Sequence, residues 1–293
     1  MRIVLAGGSG FLGRALRTRL QRDGHTVTVL TRSPRGAPDE VAWTPDGNAG
    51  AWAGALDGAD GIVNLAGEGI ADRRWNDARK RALRDSRLVS TRSIVAALRQ
   101  APAPVLVNAS AVGYYGPCGD QRVTESTPPG SDFLSELCVE WEREADQASA
   151  TTRVALVRTG LVLHPDGGAL KEMLLPFKLG AGGPMGSGSQ YMPWIHLDDW
   201  VSLVLWLIAT SGARGAFNGT APTPVTNREF ARALGRALGR PAIVPAPAFA
   251  LRMLLGEFAD SLLTGQRAVP ARSVELGFTF QFADLEPALA NLL

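Results

Sequence analysis

Along the first half of the chain, short apolar runs alternate with amphipathic stretches. Arg2–Ala6 is nearly continuous in apolar residues, the pattern of a strand buried on both faces. A glycine-rich turn follows, Gly7-Gly8-Ser9-Gly10-Phe11-Leu12-Gly13. Ala15, Leu16 and Leu20 then recur at helical spacing up to Gly24, and Thr26–Leu30 reads as a second strand. More strands are predicted at Val41–Trp43, Gly61–Leu65, Pro104–Asn108 and Arg153–Val157. Between them, Leu83, Leu88, Ile94, Val95 and Leu98 mark one side of a long helix over Lys80–Leu98. Ser131 or Asp132 can cap another helix through Leu137, Val139 and Trp141. This alternation predicts an α/β fold with a doubly wound parallel sheet of the Rossmann kind.

The texture changes after about Gly160. Glycine and proline cluster at Pro165–Gly168 and Gly180–Gly188. Trp194–Leu197 reads as a strand, with Asp198 or Asp199 capping a helix through Ala209. Thr226-Asn227-Arg228-Glu229 is a capping box opening a helix over Glu229–Leu238. The expected division is a dinucleotide-binding domain over 1–160 and a smaller α/β substrate-binding region over 161–293, with part of 194–210 packing back on the first.

Thirty basic against 28 acidic residues give a net charge of +2, so no global field invites nucleic acid or an acidic membrane. The longest apolar run, Trp200–Ala209, falls short of the roughly 20 residues a membrane span needs. A cytoplasmic protein is expected. Cys118 and Cys138 make no disulfide framework, and His25, His164 and His196 lack metal-ligand spacing.

Gly7, Gly10 and Gly13 stand between a strand and a helix, where glycines let the backbone approach a pyrophosphate at a helix N-terminus. Gly8, Ser9, Phe11 and Leu12 complete the candidate cofactor turn. The second strand runs into Thr31, Arg32 and Ser33, and no carboxylate appears before Asp39. An NAD site places Asp or Glu there for the ribose 2′-hydroxyl, whereas Arg32, helped by Arg14 and Arg35, can pair with a 2′-phosphate. The expected cofactor is therefore NADP(H). The competing reading makes Arg32 and Arg35 plain loop arginines.

With these residues the chain resembles the extended short-chain dehydrogenase/reductases, the superfamily of nucleotide-sugar epimerases and dehydratases. The resemblance rests on the glycine spacing, Asn64-Leu65-Ala66-Gly67, Ser110 after the fifth strand, Trp194-Ile195-His196-Leu197-Asp198-Asp199 and Phe217-Asn218-Gly219. More narrowly it is similar to the sugar-nucleotide-epimerase-like subgroup with a DUF1731-type C-terminus. That likeness lies in Gly67–Trp75, Ser86-Arg87 through Thr91-Arg92, Ser110–Gly116, Gly256-Glu257, Gly265-Gln266-Arg267 and Gly277-Phe278. The resemblance implies that Asn64, Leu65, Ala66 and Gly67 line the cofactor, that Ser110 orients substrate, and that Phe217–Gly219 is a turn of the substrate domain.

One feature of the superfamily is missing. Its members use Tyr-x-x-x-Lys, in which the cation helps bring the tyrosine into a useful range for proton transfer. The chain has only three lysines, and the residues four before Lys80, Lys171 and Lys178 are Asn76, Gly167 and Leu174. Tyr114 or Tyr115, beside Ser110, is the replacement candidate for proton donor. Arg73, Arg74 and Trp75 are weaker candidates for substrate contact, by anion clamping and stacking. Arg79, Lys80, Arg81 and Arg84 read as a solvated helix face, His196 as structural, and Met185 with its glycines as either a flap or an ordinary loop. The expected function is NADP(H)-dependent oxidoreduction of a small, sugar-like or anionic substrate. The alternatives are a non-catalytic NADP(H)-binding sensor or interaction protein and, third, a nucleotide-sugar epimerase. A homodimer is the assembly to consider; neither nucleic acid nor membrane is an expected partner.

Overall fold

The computed structural model describes all of residues 1–293. The first strands and helices are β1 (Arg2–Ala6), α1 (Phe11–Arg22), β2 (Thr26–Thr31), β3 (Glu40–Ala42), β4 (Gly61–Asn64), α2 (Asp77–Gln100) and β5 (Val105–Ala111). Next come β6 (Arg122–Val123), α3 (Phe133–Asp146), β7 (Arg153–Thr159), β8 (Leu161–Leu163), α4 (Gly168–Lys178), β9 (Tyr191–Met192) and β10 (Trp194–His196). The chain continues through α5 (Leu197–Ala209), β11 (Gly215–Gly219), β12 (Val225–Thr226) and α6 (Asn227–Ala237). It ends with α7 (Ala248–Leu255), α8 (Phe258–Thr264), β13 (Arg267–Ala268), α9 (Ala271–Glu275) and α10 (Leu285–Leu292).

Seven strands form one parallel sheet in the order β11-β7-β5-β4-β1-β2-β3. The order reverses at β1, where chain crossovers leave in opposite directions and open a crevice at the strands' carboxyl ends. On one face, Leu16 and Leu20 of α1 and Trp200, Val204 and Leu207 of α5 pack over Ile3, Leu5, Val107 and Val157. On the other, Ile94, Val95 and Leu98 of α2 and Ala145 of α3 cover Val4, Ile62, Leu106 and Leu156. The central strands β1, β4 and β7 are buried on both sides, which is why these segments read as apolar runs rather than alternating ones.

The sheet extends past residue 160. Phe217-Asn218-Gly219, expected as a turn of the substrate domain, is the end of β11, paired with Val157–Thr159 as the edge strand of the main sheet. A separate core joins several C-terminal elements: Leu170, Leu174 and Phe177 of α4, Trp194 of β10, Phe230 and Leu234 of α6, and Leu289 of α10.

Local capping follows the sequence with one exchange. Asn76 caps α2, Asp132 caps α3 through the Ser135 N–H, and Thr226 with Glu229 forms both halves of a capping box. At α5 the cap is His196, whose Nδ1 accepts the Asp198 N–H at 3.0 Å, rather than either aspartate. Its ring stacks on Phe282 at 4.0 Å, and burial, the largest influence, holds its pKa below the usual histidine range.

Asp199, freed from capping, accepts the backbone N–H groups of Gln281 and Phe282, both at 2.8 Å. This carboxylate joins α5 to the C-terminal tail. Asp199→Ala leaves the buried Phe282 N–H and the part-buried Gln281 N–H without partners, at a cost of about 3 kcal/mol in urea unfolding. A loss below about 1 kcal/mol would show that water replaces the carboxylate.

Candidate functional site

The crevice at the switch point is a cleft of about 670 Å³ between the glycine turn, the end of β2, the turn after β4 and one side of α2. Gly7 has φ +81°, and a Cβ there would lie 2.6 Å from the Leu65 carbonyl oxygen. A Cβ on Gly13 would overlap the Gly7 carbonyl, and one on Gly8 would lie 2.7 Å from Val29 Cγ1. Gly10 is the N-terminal flank of α1 and brings no capping side chain, so the first-turn N–H groups stay open to an anion. Ser9 is exposed beside them. Phe11 and Leu12 do not join this wall. Phe11 tilts against His164 with ring centres 6.1 Å apart, and Leu12 packs against the core.

Arg14, Arg17, Arg32 and Arg35 surround the far end of the cleft with Thr31. Arg17 is taken by Asp39 at 2.6 Å, which turns that carboxylate away. Arg14 donates to the Ser9 carbonyl at 2.6 Å. Arg32 forms no ion pair and is exposed to the cleft. Sequence reasoning missed Glu40 on this wall; it accepts the Arg35 backbone N–H at 2.6 Å and so shapes the loop.

Asn64 stands behind the cleft wall, not on it. Its side chain is fully buried, donating to Thr91 Oγ1 at 2.9 Å and Asn108 Oδ1 at 2.7 Å while accepting the Ala66 N–H at 3.1 Å. That acceptor sets the turn by which Leu65, Ala66 and Gly67 reach the cleft. Arg87 supports the same turn from beneath, donating to the Glu68 and Leu83 carbonyls, both at 3.0 Å. Thr91 also accepts the Trp141 indole N–H at 2.9 Å, so Arg87 supports the turn directly and Thr91 supports it through Asn64.

At the ends of β5 and β7 the structure places a closed polar network. Ser110 donates its hydroxyl to Glu142 Oε1 at 2.6 Å. Glu142 receives a two-pronged ion pair from Arg158, with both N···O distances 2.8 Å. Arg158 also donates to the Tyr115 hydroxyl at 3.0 Å, which donates in turn to Asn218 Oδ1 at 2.7 Å. Burial, outweighing the nearby Arg158, pushes the Tyr115 phenol up to about 12. Burial alone would lower the Arg158 guanidinium; Glu142 outweighs it and holds Arg158 protonated. Tyr115 is thus a tied structural group. Tyr114 is half-buried, its ring 3.4 Å from Arg158 Cζ, and its hydroxyl has no hydrogen-bond partner. Sequence reasoning missed Glu142 and Arg158. The available signal was Arg158 following the apolar run Val154–Val157, since a buried charge needs a partner. Nearby Cys138 is fully enclosed, and burial raises its thiol to about 12.

Arg73 and Arg74 are exposed, while Trp75 packs edge-on to Phe133 at 5.3 Å and tilts against Phe258 at 5.5 Å. Lys80 reaches Glu257 at 2.6 Å, so the turn between α7 and α8 closes over this segment. Arg79 pairs with Glu68 and Arg84 with Glu140, which corrects the picture of a wholly solvated basic face. The loop around Met185 is stitched down by Asn227 at 2.7 Å and Gln190 at 3.0 Å rather than left as a free flap.

A doubly wound sheet whose switch-point crevice opens on a glycine turn defines a dinucleotide-binding Rossmann protein. Residues 3–218 match the NAD dependent epimerase/dehydratase family, and residues 246–292 match DUF1731, a domain of unknown function. The chain belongs to this epimerase/dehydratase family. It is 44% identical to the epimerase family protein Mb2239 of Mycobacterium bovis over 98% of this chain and 96% of that one. It is 42% identical to the epimerase family protein SDR39U1 of Bos taurus, each chain fully covered. The crystal structure of human SDR39U1 with NADPH superposes with a TM-score of 0.93 at 38% identity, covering 100% of this chain and 99% of that one. No helix is long and apolar enough to cross a membrane.

Glu142→Gln would leave the Arg158 cation buried without its counter-charge and is expected to cost about 3–5 kcal/mol in denaturant unfolding. A cost under about 1 kcal/mol would mean Arg158 finds other compensation. Tyr115 keeps its proton to about pH 12 when folded, against 10 unfolded. Its contribution to stability is complete below pH 10 and is lost as pH rises toward 12. The phenolate absorbance step near pH 12 is expected to vanish in Tyr115→Phe.

Proposed function

We propose that this chain is an NADP(H)-dependent oxidoreductase acting on a small carbonyl or alcohol substrate, with Tyr114 as proton donor. The supporting observation is the cleft: a glycine cradle that excludes any Cβ at its base, and at its other end Arg32 without an ion pair, flanked by Arg14 and Arg35. The carboxylate nearest in sequence, Asp39, is spent on Arg17, and Glu40 beside it is engaged by the Arg35 backbone N–H. The NADPH present in the related human crystal structure agrees with this reading.

The nicotinamide ring, when bound, supplies or takes up hydride. The chain's own residues do the rest. Gly7, Gly8 and Gly13 let the backbone approach the pyrophosphate, and the first-turn N–H groups of α1 oppose its charge. Arg32 holds the 2′-phosphate by charge-assisted hydrogen bonds. Asn64 and Arg87 keep Leu65–Gly67 against the bound nucleotide. The Tyr114 hydroxyl, free of any internal partner, delivers a proton to the developing alkoxide. Neutral tyrosine can serve as an acid for reduction, whereas epimerisation requires the same group to act as base, and no Tyr-x-x-x-Lys exists to assist it.

A second reading is favoured by one observation. Ser110 and Tyr115 both spend their hydroxyls on buried partners, which suits a nucleotide-binding sensor that performs no turnover.

Fluorescence titration is expected to give tighter binding of NADPH than of NADH, and Arg32→Ala is expected to weaken NADPH about tenfold or more while barely changing NADH. Equal affinity for both nucleotides would overturn the role of Arg32. Across a panel of aldehydes and ketones, Tyr114→Phe is expected to abolish NADPH oxidation while NADPH still binds. Binding with no oxidation by the native chain would put the sensor in its place.

A further inference from the structure

We propose that an exposed apolar strip, formed by the end of α4, the segment before α7 and α7 itself, is the contact surface for a second copy of this chain. The inference goes beyond the oxidoreductase reading and does not depend on it.

The composition of α7 poses the problem. Arg252 is its one polar residue; every other position from Ala248 to Leu255 is apolar. A helix that is apolar all round is ordinarily buried all round. No residue of α7 is buried, and Phe249, Met253 and Leu254 are each 70% or more exposed. Phe249 and Met253 are four apart and so share one side of the helix.

Neighbouring elements extend the strip. Ile243 and Val244, just before α7, are exposed. Their segment runs along the end of α4 and the loop beyond it. Arg240 Nε donates to the Lys178 carbonyl at 3.1 Å, the Val244 N–H to the Gly182 carbonyl at 3.1 Å, and the Ala246 N–H to the Pro184 carbonyl at 2.9 Å. Leu175 on α4 and Leu179 at its C-terminal cap, again four apart, are 66% and 74% exposed. Of the eleven large apolar side chains exposed on the chain, seven lie in this strip. The others are Met1 and Leu293 at the chain ends and Val274 and Leu276 at α9, so there is one extended apolar surface and not several.

The size of the strip suits a dimer. At roughly 100 Å² for each exposed large apolar side chain, seven give about 700 Å², more than a monomer ordinarily leaves in one patch and close to the about 800 Å² each partner brings to a stable interface. Its charges suit a two-fold contact. Lys178 and Arg240 are exposed at the α4 end, where no carboxylate pairs with them. At the α8 end stand the carboxylates of Glu257 and Asp260, still 50% and 55% exposed while they hold Lys80 and Arg252. A two-fold axis across the strip lays the α4 end of one copy on the α8 end of the other. Free cations then meet carboxylates while the apolar side chains bury one another. An anionic bilayer calls for a basic border throughout, which Glu257 and Asp260 interrupt. The outer side of α2 and α3 offers no rival surface: it carries the ion pairs Arg84–Glu140 and Arg92–Glu144 and no large exposed apolar side chain.

The test is sedimentation equilibrium of the full chain across the micromolar range. A species of twice the chain's mass is expected. Met253→Glu on α7 and Leu179→Glu beside α4 each place a charge in the contact and should weaken the dimer about tenfold or more. Both side chains are exposed in the single chain, so its fold is retained; circular dichroism of each variant checks this. Leu276→Glu, exposed but outside the strip, should leave the dimer as it is. The same samples are spun with vesicles of phosphatidylcholine and phosphatidylglycerol, from which the native chain should stay free. The proposal is overturned if the native chain is monomeric throughout, if the dimer withstands both strip variants, or if Leu276→Glu weakens it as much as they do. It is also overturned if the native chain pellets with the vesicles and Met253→Glu does not, because a lipid surface is then the occupant.

Discussion

A single buried cation organises the carboxyl end of the sheet. Arg158 sits near the end of β7, 4% exposed, where neither a membrane-like core nor bulk water can neutralise it. Glu142 supplies the counter-charge from α3, Tyr115 accepts from the turn after β5, and the Glu125 carbonyl accepts at 3.1 Å from the loop beyond it. Asn218 on β11 then satisfies Tyr115, and Glu125 accepts the Asn218 N–H at 2.9 Å. Every one of these groups is paired because leaving any of them bare in a low-dielectric interior would be costly. The outcome is that β5, β7, β11 and α3 are joined by polar contacts where the sheet would otherwise end in loose turns.

The same network constrains the chemistry. By engaging Ser110 and Tyr115 it removes two hydroxyls from service and leaves half-buried Tyr114, seated over the guanidinium, as the neighbour whose hydroxyl has no internal partner. The cofactor cleft is built on a different principle. There the backbone itself approaches the ligand, and the glycines are needed because the space for side chains is already filled by Leu65, Val29 and the turn's own carbonyl. One half of the site is made by filling space with charge compensation, the other by removing side chains. Both meet at the strand ends around the switch point.

Much of this was readable before any coordinates. The strands predicted at Arg2–Ala6, Thr26–Leu30, Gly61–Leu65 and Pro104–Asn108 announce themselves because strands buried in a parallel sheet are predominantly apolar, and each lies within a residue or three of its observed bounds. The capping box at Thr226–Glu229 was equally plain, since its two hydrogen bonds involve residues three apart. Arg32 could be assigned to the cleft because the end of β2 follows directly from the strand–turn–helix–strand unit. What could not be read was set by distance along the chain. Asn64 looked like a ligand contact from its place after β4, yet its partners Thr91 and Asn108 are 27 and 44 residues away and draw it behind the wall. The resemblance implied a turn at Phe217–Gly219; a strand of five residues containing two glycines has no strong pattern of its own, and pairing with β7 makes it one.

The sequence by itself determined the class of the fold, the place of the dinucleotide cleft and the absence of a tyrosine–lysine pair, because each depends on residues within one turn or one strand–helix unit. Tertiary structure alone decided which tyrosine is free and which carboxylates are spent. Those outcomes depend on which side chains compete for the same partner after folding. Local periodicity carries no information about that competition, because charge and hydrogen-bond satisfaction are settled between elements and not within them.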